Sequence, residues 1–104
     1  MAATPKALAR TAAATTNTTL YTVPTTTTTT IVSNVVVANT STSTGTFTLN
    51  LDSIPVASAV SVPANSTTFV DLKQVLPANA TPKTISGSAS TTAVYFHISG
   101  VELV

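Results

Sequence analysis

Cysteine and tryptophan are absent, glycine occurs three times and histidine once, and only seven of the 104 residues carry a formal charge. Each shortage excludes something. Without cysteine there is no disulfide framework and no thiolate metal set, and the redox compartment is not encoded. One histidine and three acids dispersed along the chain do not make up a zinc site, and no acidic loop has calcium-ligand spacing. Three glycines cannot build a glycine-rich phosphate cradle feeding a helix. The charged set is Lys6, Arg10, Asp52, Asp71, Lys73, Lys83 and Glu102, or 7% of the chain and a net +1. Ordinary soluble domains carry roughly 25%. Electrostatic capture of nucleic acid needs clustered lysine and arginine, which this chain does not have. Its aromatics have no Lys or Arg within three positions, which argues against stacking on single strands and for core packing, with Tyr95 a candidate interface residue. No apolar run reaches the roughly 18–20 residues that cross a bilayer. Lys6 and Arg10 are followed by no apolar stretch of secretory type, so the expected site of synthesis is the cytoplasm.

What fills the chain instead is hydroxyl: 24 threonines and 11 serines. A hydroxyl surface is polar enough for water, yet easier to desolvate against a partner than an ionic one, because no ion has to leave water. A soluble monomer ordinarily relies on charge to resist association. The composition therefore predicts a protein that is covered by other chains.

The pattern is β from Leu20 onward. Ile31 to Ala38 is almost wholly β-branched, with Ile31, Val35 and Val37 expected on one face and Val32 and Val36 on the other. Two apolar faces predict a central strand, or one whose outer face is covered by a neighbouring chain. The Thr25–Thr30 run reads as the lead-in to that strand. Phe47, Leu49 and Leu51 alternate inward against Thr48, Asn50 and Asp52. Ile54 to Val62 is a weaker strand broken by Pro55. Thr67 to Leu72 is another strand, and Val75 to Asn79 reads as a turn. Thr84 to Ser88 is short. The last strand runs from Ala93, with Val94, Phe96 and Ile98 inward, a bulge expected at Gly100, and Val101 and Leu103 resuming the apolar side. Pro-Ala-Asn at 63–65 and again at 77–79 is turn chemistry.

Together these predict an all-β protein: one β-sandwich or jelly-roll-like domain of 7–8 short antiparallel strands over residues 19–104, preceded by an N-terminal arm over residues 1–18. The alanine-rich arm has no sustained apolar stripe and is expected to order on a partner. A nucleophilic triad has no support, since there is no nucleophile elbow and His97 falls on the face opposite Phe96 and Ile98. The expectation is a non-enzyme with no catalytic residues, no metal and no cofactor.

The segments Leu20-Tyr21-Thr22-Val23-Pro24, Ile31-Val32-Ser33-Asn34-Val35-Val36-Val37-Ala38-Asn39-Thr40, Pro63-Ala64-Asn65-Ser66-Thr67-Thr68, Val75-Leu76-Pro77-Ala78-Asn79 and Ser99-Gly100-Val101-Glu102 resemble small virion structural proteins of tailed bacteriophages, of the capsid cement or decoration type. The resemblance spans roughly residues 19–104 and is one of strands and turns. It implies a virion structural protein; small size, low charge, β content and a separate arm lying across neighbouring shell subunits then make the expectation a protein on the capsid exterior, a homotrimer bound to the major capsid protein, with no nucleic acid, membrane or small-molecule substrate. Expected contacts are Lys6 and Arg10 with shell carboxylates, and Val32 and Val36 in trimer packing. The alternatives are a receptor- or glycan-binding head-fibre or tail domain, and a neck or tail component. Thr25 and Thr26 stand where such proteins carry glycine.

Overall fold

The structure, a computed structural model, describes residues 3–70 and 73–104. Nine strands follow one another with no helix among the described residues: β1 (Ala3–Ala12), β2 (Thr18–Thr22), β3 (Thr29–Asn39), β4 (Gly45–Leu51), β5 (Ile54–Val62), β6 (Ser66–Val70), β7 (Gln74–Leu76), β8 (Thr84–Ala89) and β9 (Val94–Leu103). They form two antiparallel sheets packed as a sandwich. The front sheet runs β1-β9-β3-β6, with β7 also paired to β3; the back sheet runs β2-β8-β4-β5.

Period-two alternation builds the core between them. Val35, Val37, Val94, Phe96 and Ile98 point in from the front sheet, and Phe47, Leu49 and Ile85 from the back sheet. Phe47 and Phe96 meet edge to face with centroids 6.0 Å apart, a geometry that adds about 0.5–1.5 kcal/mol beyond the burial of their area. Asn39 is buried at the sandwich end. Its amide donates to the carbonyls of Ser43 and Val62 while its oxygen accepts from Ser41 N–H, which fixes the crossing from β3 to β4.

The all-β sandwich is as the sequence predicts, but the count and several local assignments differ. From Ala3 to Ala12 the expected arm is an edge strand paired with β9, and Leu8, Ala9 and Ala13 are part of the core. A bulge at Leu8 turns both Leu8 and Ala9 inward, which erases the alternation that would have announced a strand. Alanine is also a weak strand former, so the pairing with β9 rather than local propensity sets the conformation. Val75 and Leu76, the start of the expected Val75–Asn79 turn, belong instead to a short strand, Gln74–Leu76, on β3. Thr25–Thr28 is a turn, not a strand. Thr28 N–H reaches Thr25 O, and the Thr25 hydroxyl bonds those of Thr27 and Thr28 and accepts from Thr27 N–H. The hydroxyls supply locally the turn chemistry that glycine supplies elsewhere. Residues 71 and 72, the expected end of the Thr67–Leu72 strand, lie outside the described residues, as do residues 1 and 2.

Two further differences share one cause. Ser33 is a bulge in β3, so Val32 and Val35 both point inward and Ile31 moves to the outer face with Val36. The bulge expected at Gly100 is absent: β9 alternates without a break, and the bulges lie in the strands on either side of it. Val101 and Leu103 therefore face outward, and Glu102 faces in. Glycine is required at 100 by this crowding, since a Cβ there would sit 2.2 Å from the Ile31 carbonyl oxygen and 2.9 Å from Leu8 Cδ1.

Candidate interaction face

The outer face of the front sheet is built row by row from the strand register. One row crosses β1, β9, β3 and β7 as Pro5, Val101, Ile31 and Val75. Beyond the two bulges a second row crosses β1, β9, β3 and β6 as Arg10, His97, Val36 and Phe69. A third follows as Ala12, Tyr95, Ala38 and Thr67. Apolar side chains thus occupy most of these three rows, with Arg10 and His97 together at the β1 side, while Ser33, Asn34 and Ser99 lie between the first row and the second. Phe69 is 72% exposed and Val75 and Tyr95 are also exposed, while Ile31, Val36 and Val101 are half-buried by their neighbours on the sheet. Exposed hydrophobics scattered singly need no explanation, but a contiguous set marks a contact surface.

The outer face of the back sheet is a different material. Its cross-strand positions are Ser61 with Thr46, Thr48 with Ser88, and Asn50 with Ser86 and Thr19. Asn50 donates to Asn17 and Ser86, so the amides and hydroxyls satisfy one another. The apolar margin extends from the front face around the β5 edge. There Ile54 and Val56 are exposed, and with Val75 and Leu76 they line a shallow groove of about 420 Å³.

At one end of the sandwich a polar clasp joins the sheets. Tyr21, from β2 in the back sheet, donates its hydroxyl proton to Glu102 on β9. The Thr30 hydroxyl, 2.8 Å away on β3, must then be the donor to the tyrosine oxygen, because a phenol has one proton. Lys6 Nζ lies 3.4 Å from the other Glu102 oxygen. Glu102 and Tyr21 are both buried, and every described buried side-chain polar atom has a partner. Burial, and then the hydrogen bond to Glu102, push the Tyr21 hydroxyl up to about 12. The clasp fixes β1 and β9 to the back sheet and leaves no unpaired buried charge, the condition that makes such a group tolerable.

The four residues singled out in the sequence therefore separate. Val36 and Arg10 lie on the apolar face, in one row. Val32 does not, since the Ser33 bulge turns it into the core with no exposed surface. Lys6 is engaged with a carboxylate of its own chain. Phe69, expected in the core, is the most exposed large hydrophobic residue among those described. The available signal was its alternation with Thr67 on a strand whose other face carries Thr68 and Val70. His97 is exposed on the same face, and among the described residues no three histidine, aspartate or glutamate side chains cluster as a metal site. Comparison with protein-family models, with curated proteins and with solved structures finds no match to this chain.

Proposed function

We propose that this chain is a non-catalytic structural module that lays the outer face of its front sheet on another protein, and that its setting is the exterior of a tailed-phage capsid, where it acts as a cement protein on the major capsid protein. One observation carries the docking half of this reading: the two outer faces of one sandwich differ, mainly hydroxyl and amide on the back sheet, and mainly apolar on the front, where Arg10 and His97 lie at one side and Ser33, Asn34 and Ser99 form a polar strip. The capsid setting rests on the resemblance over residues 19–104.

The physics of cementing suits such a face. A ligand that binds only the assembled shell stabilises it by linkage, in proportion to its affinity and occupancy. Many copies of modest individual affinity add up across a lattice. Desolvating threonine methyls, valines and one phenylalanine costs little, and Arg10 at the margin supplies a fixed charge for a shell carboxylate. Quantitative mass spectrometry of purified particles tests the proposal. Copy numbers comparable to those of the shell protein support it. A few copies per particle assign the chain to a neck or tail, and absence from particles refutes it.

A further inference from the structure

A sandwich with two open sheets has four edge strands, and an unguarded edge pairs with other strands. Three edges here are guarded. β1 carries Pro5, Lys6 and Arg10 and a bulge at Leu8. β5 carries Pro55, two breaks in register against β4, and Ala59 in the left-handed region at φ 49°. β2 is broken by a bulge at Leu20 and stopped by Pro24. The fourth edge is shared by β6 and β7, which both pair with β3, and β6 has no device of this kind. Ser66-Thr67-Thr68-Phe69-Val70 contains no charge and no proline, and it pairs with β3 in five consecutive registers without a break. Its residues are those that favour strands.

We propose that β6 pairs antiparallel with β6 of a second copy of this chain, about a two-fold axis at Thr68. This rests on the reading of the chain as an assembly module and names its first partner. In that register Thr67 of each copy faces Phe69 of the other, so each exposed ring covers a threonine methyl, an aromatic–β-branched pair of the kind that stabilises sheets. Over Ser66–Val70 the strand is its own complement in charge as well as shape, because neither copy brings an ion to those five positions. The arrangement is isologous and closes at two subunits. It runs the row Arg10-His97-Val36-Phe69 of one protomer into Thr67, Ala38, Tyr95 and Ala12 of its partner, doubling the apolar face offered to a shell.

Sedimentation equilibrium of the full chain tests the pairing, alongside Phe69→Lys and a control, Thr46→Lys, on the back sheet. The wild type and Thr46→Lys are expected as dimers. Phe69→Lys, whose side chain is solvent-exposed in the single chain, is expected to keep its circular dichroism while its dimer dissociation constant rises at least about tenfold, with any fall in thermal midpoint no larger than the lost association accounts for. A monomeric wild type, a trimer, or a dimer indifferent to Phe69→Lys overturns the proposal. Binding of the same three proteins to purified shells is read separately. A monomer that still decorates shells refutes the pairing alone, whereas a β6 dimer with no affinity for any shell refutes the cement role alone.

Discussion

The two outer faces of this sandwich belong to one small domain, yet they are made of different residues. On the back sheet the outward positions are threonine, serine and asparagine, and they bond one another. On the front sheet the outward positions are mostly valine, isoleucine, alanine, proline and two aromatics, with Arg10 and His97 at one side and Ser33, Asn34, Ser99 and Thr67 as the polar exceptions. Both sheets contribute equally ordinary inward faces to the core, so core formation does not account for the difference. It is the outward positions, free of any folding requirement, that show what each face meets. A strand that is apolar on both sides belongs in the middle of something, and β3 and β9 have a core on one side only.

The comparison can be broken at several depths. The deepest is removal of residues 1–12. If the first strand were a detachable arm, the sandwich would survive unchanged. Because Leu8 and Ala9 are core and Lys6 closes the clasp, truncation is expected to cost more than the about 2–5 kcal/mol of a buried leucine truncated to alanine, and to abolish cooperative thermal unfolding at ambient temperature. Gly100→Ala comes next. Its methyl would collide with the Ile31 carbonyl, and the front sheet alone would have to deform, for a loss of about 1–3 kcal/mol in a denaturant melt.

Tyr21→Phe is smaller, about 1–2 kcal/mol, since it leaves Glu102 with Lys6 but without its phenol donor. It also carries a pH signature. The Tyr21 hydroxyl titrates higher in the folded chain than the ordinary 10.0, so its contribution is fully present below pH 10 and is lost as pH rises toward about 12. The wild type should lose thermal stability over that window, and the Tyr21→Phe variant should lose less. An equal loss in both proteins would detach Tyr21 from the alkaline transition.

The smallest effect on stability separates the faces most cleanly. Val36→Lys on the front face and Thr46→Lys on the back are each expected to change unfolding free energy by about 0.5 kcal/mol or less. Their effects on particle occupancy should diverge, with Val36→Lys depleted and Thr46→Lys retained.

Much of the sandwich was legible in the sequence because β-branched runs and strict alternation state strand and face together, as at Phe47, Leu49 and Leu51. The bulges were not. A single extra residue at Leu8 or Ser33 reverses facing for everything beyond it, and nothing in the local residue types requires it. That one ambiguity placed Val32 on the outer face, moved Val101 and Leu103 into the core, and hid β1. Part of the outer face was readable: the two-sided apolarity of Ile31–Ala38 pointed to apolar side chains on both sides of β3, and Val36 lies on the outer side in the row of Arg10. Phe69 was not, because a phenylalanine between Thr68 and Val70 is taken for core unless the register of β6 on β3 is known.

Hydroxyl-radical footprinting of the free chain and of the chain on intact particles tests the central claim most directly. The account predicts protection on the particle at Ile31, Val36, Tyr95 and Val101, with Leu20 and the back-sheet residues reacting as they do in solution. Protection confined to the back sheet, or no difference between the two states, would contradict it.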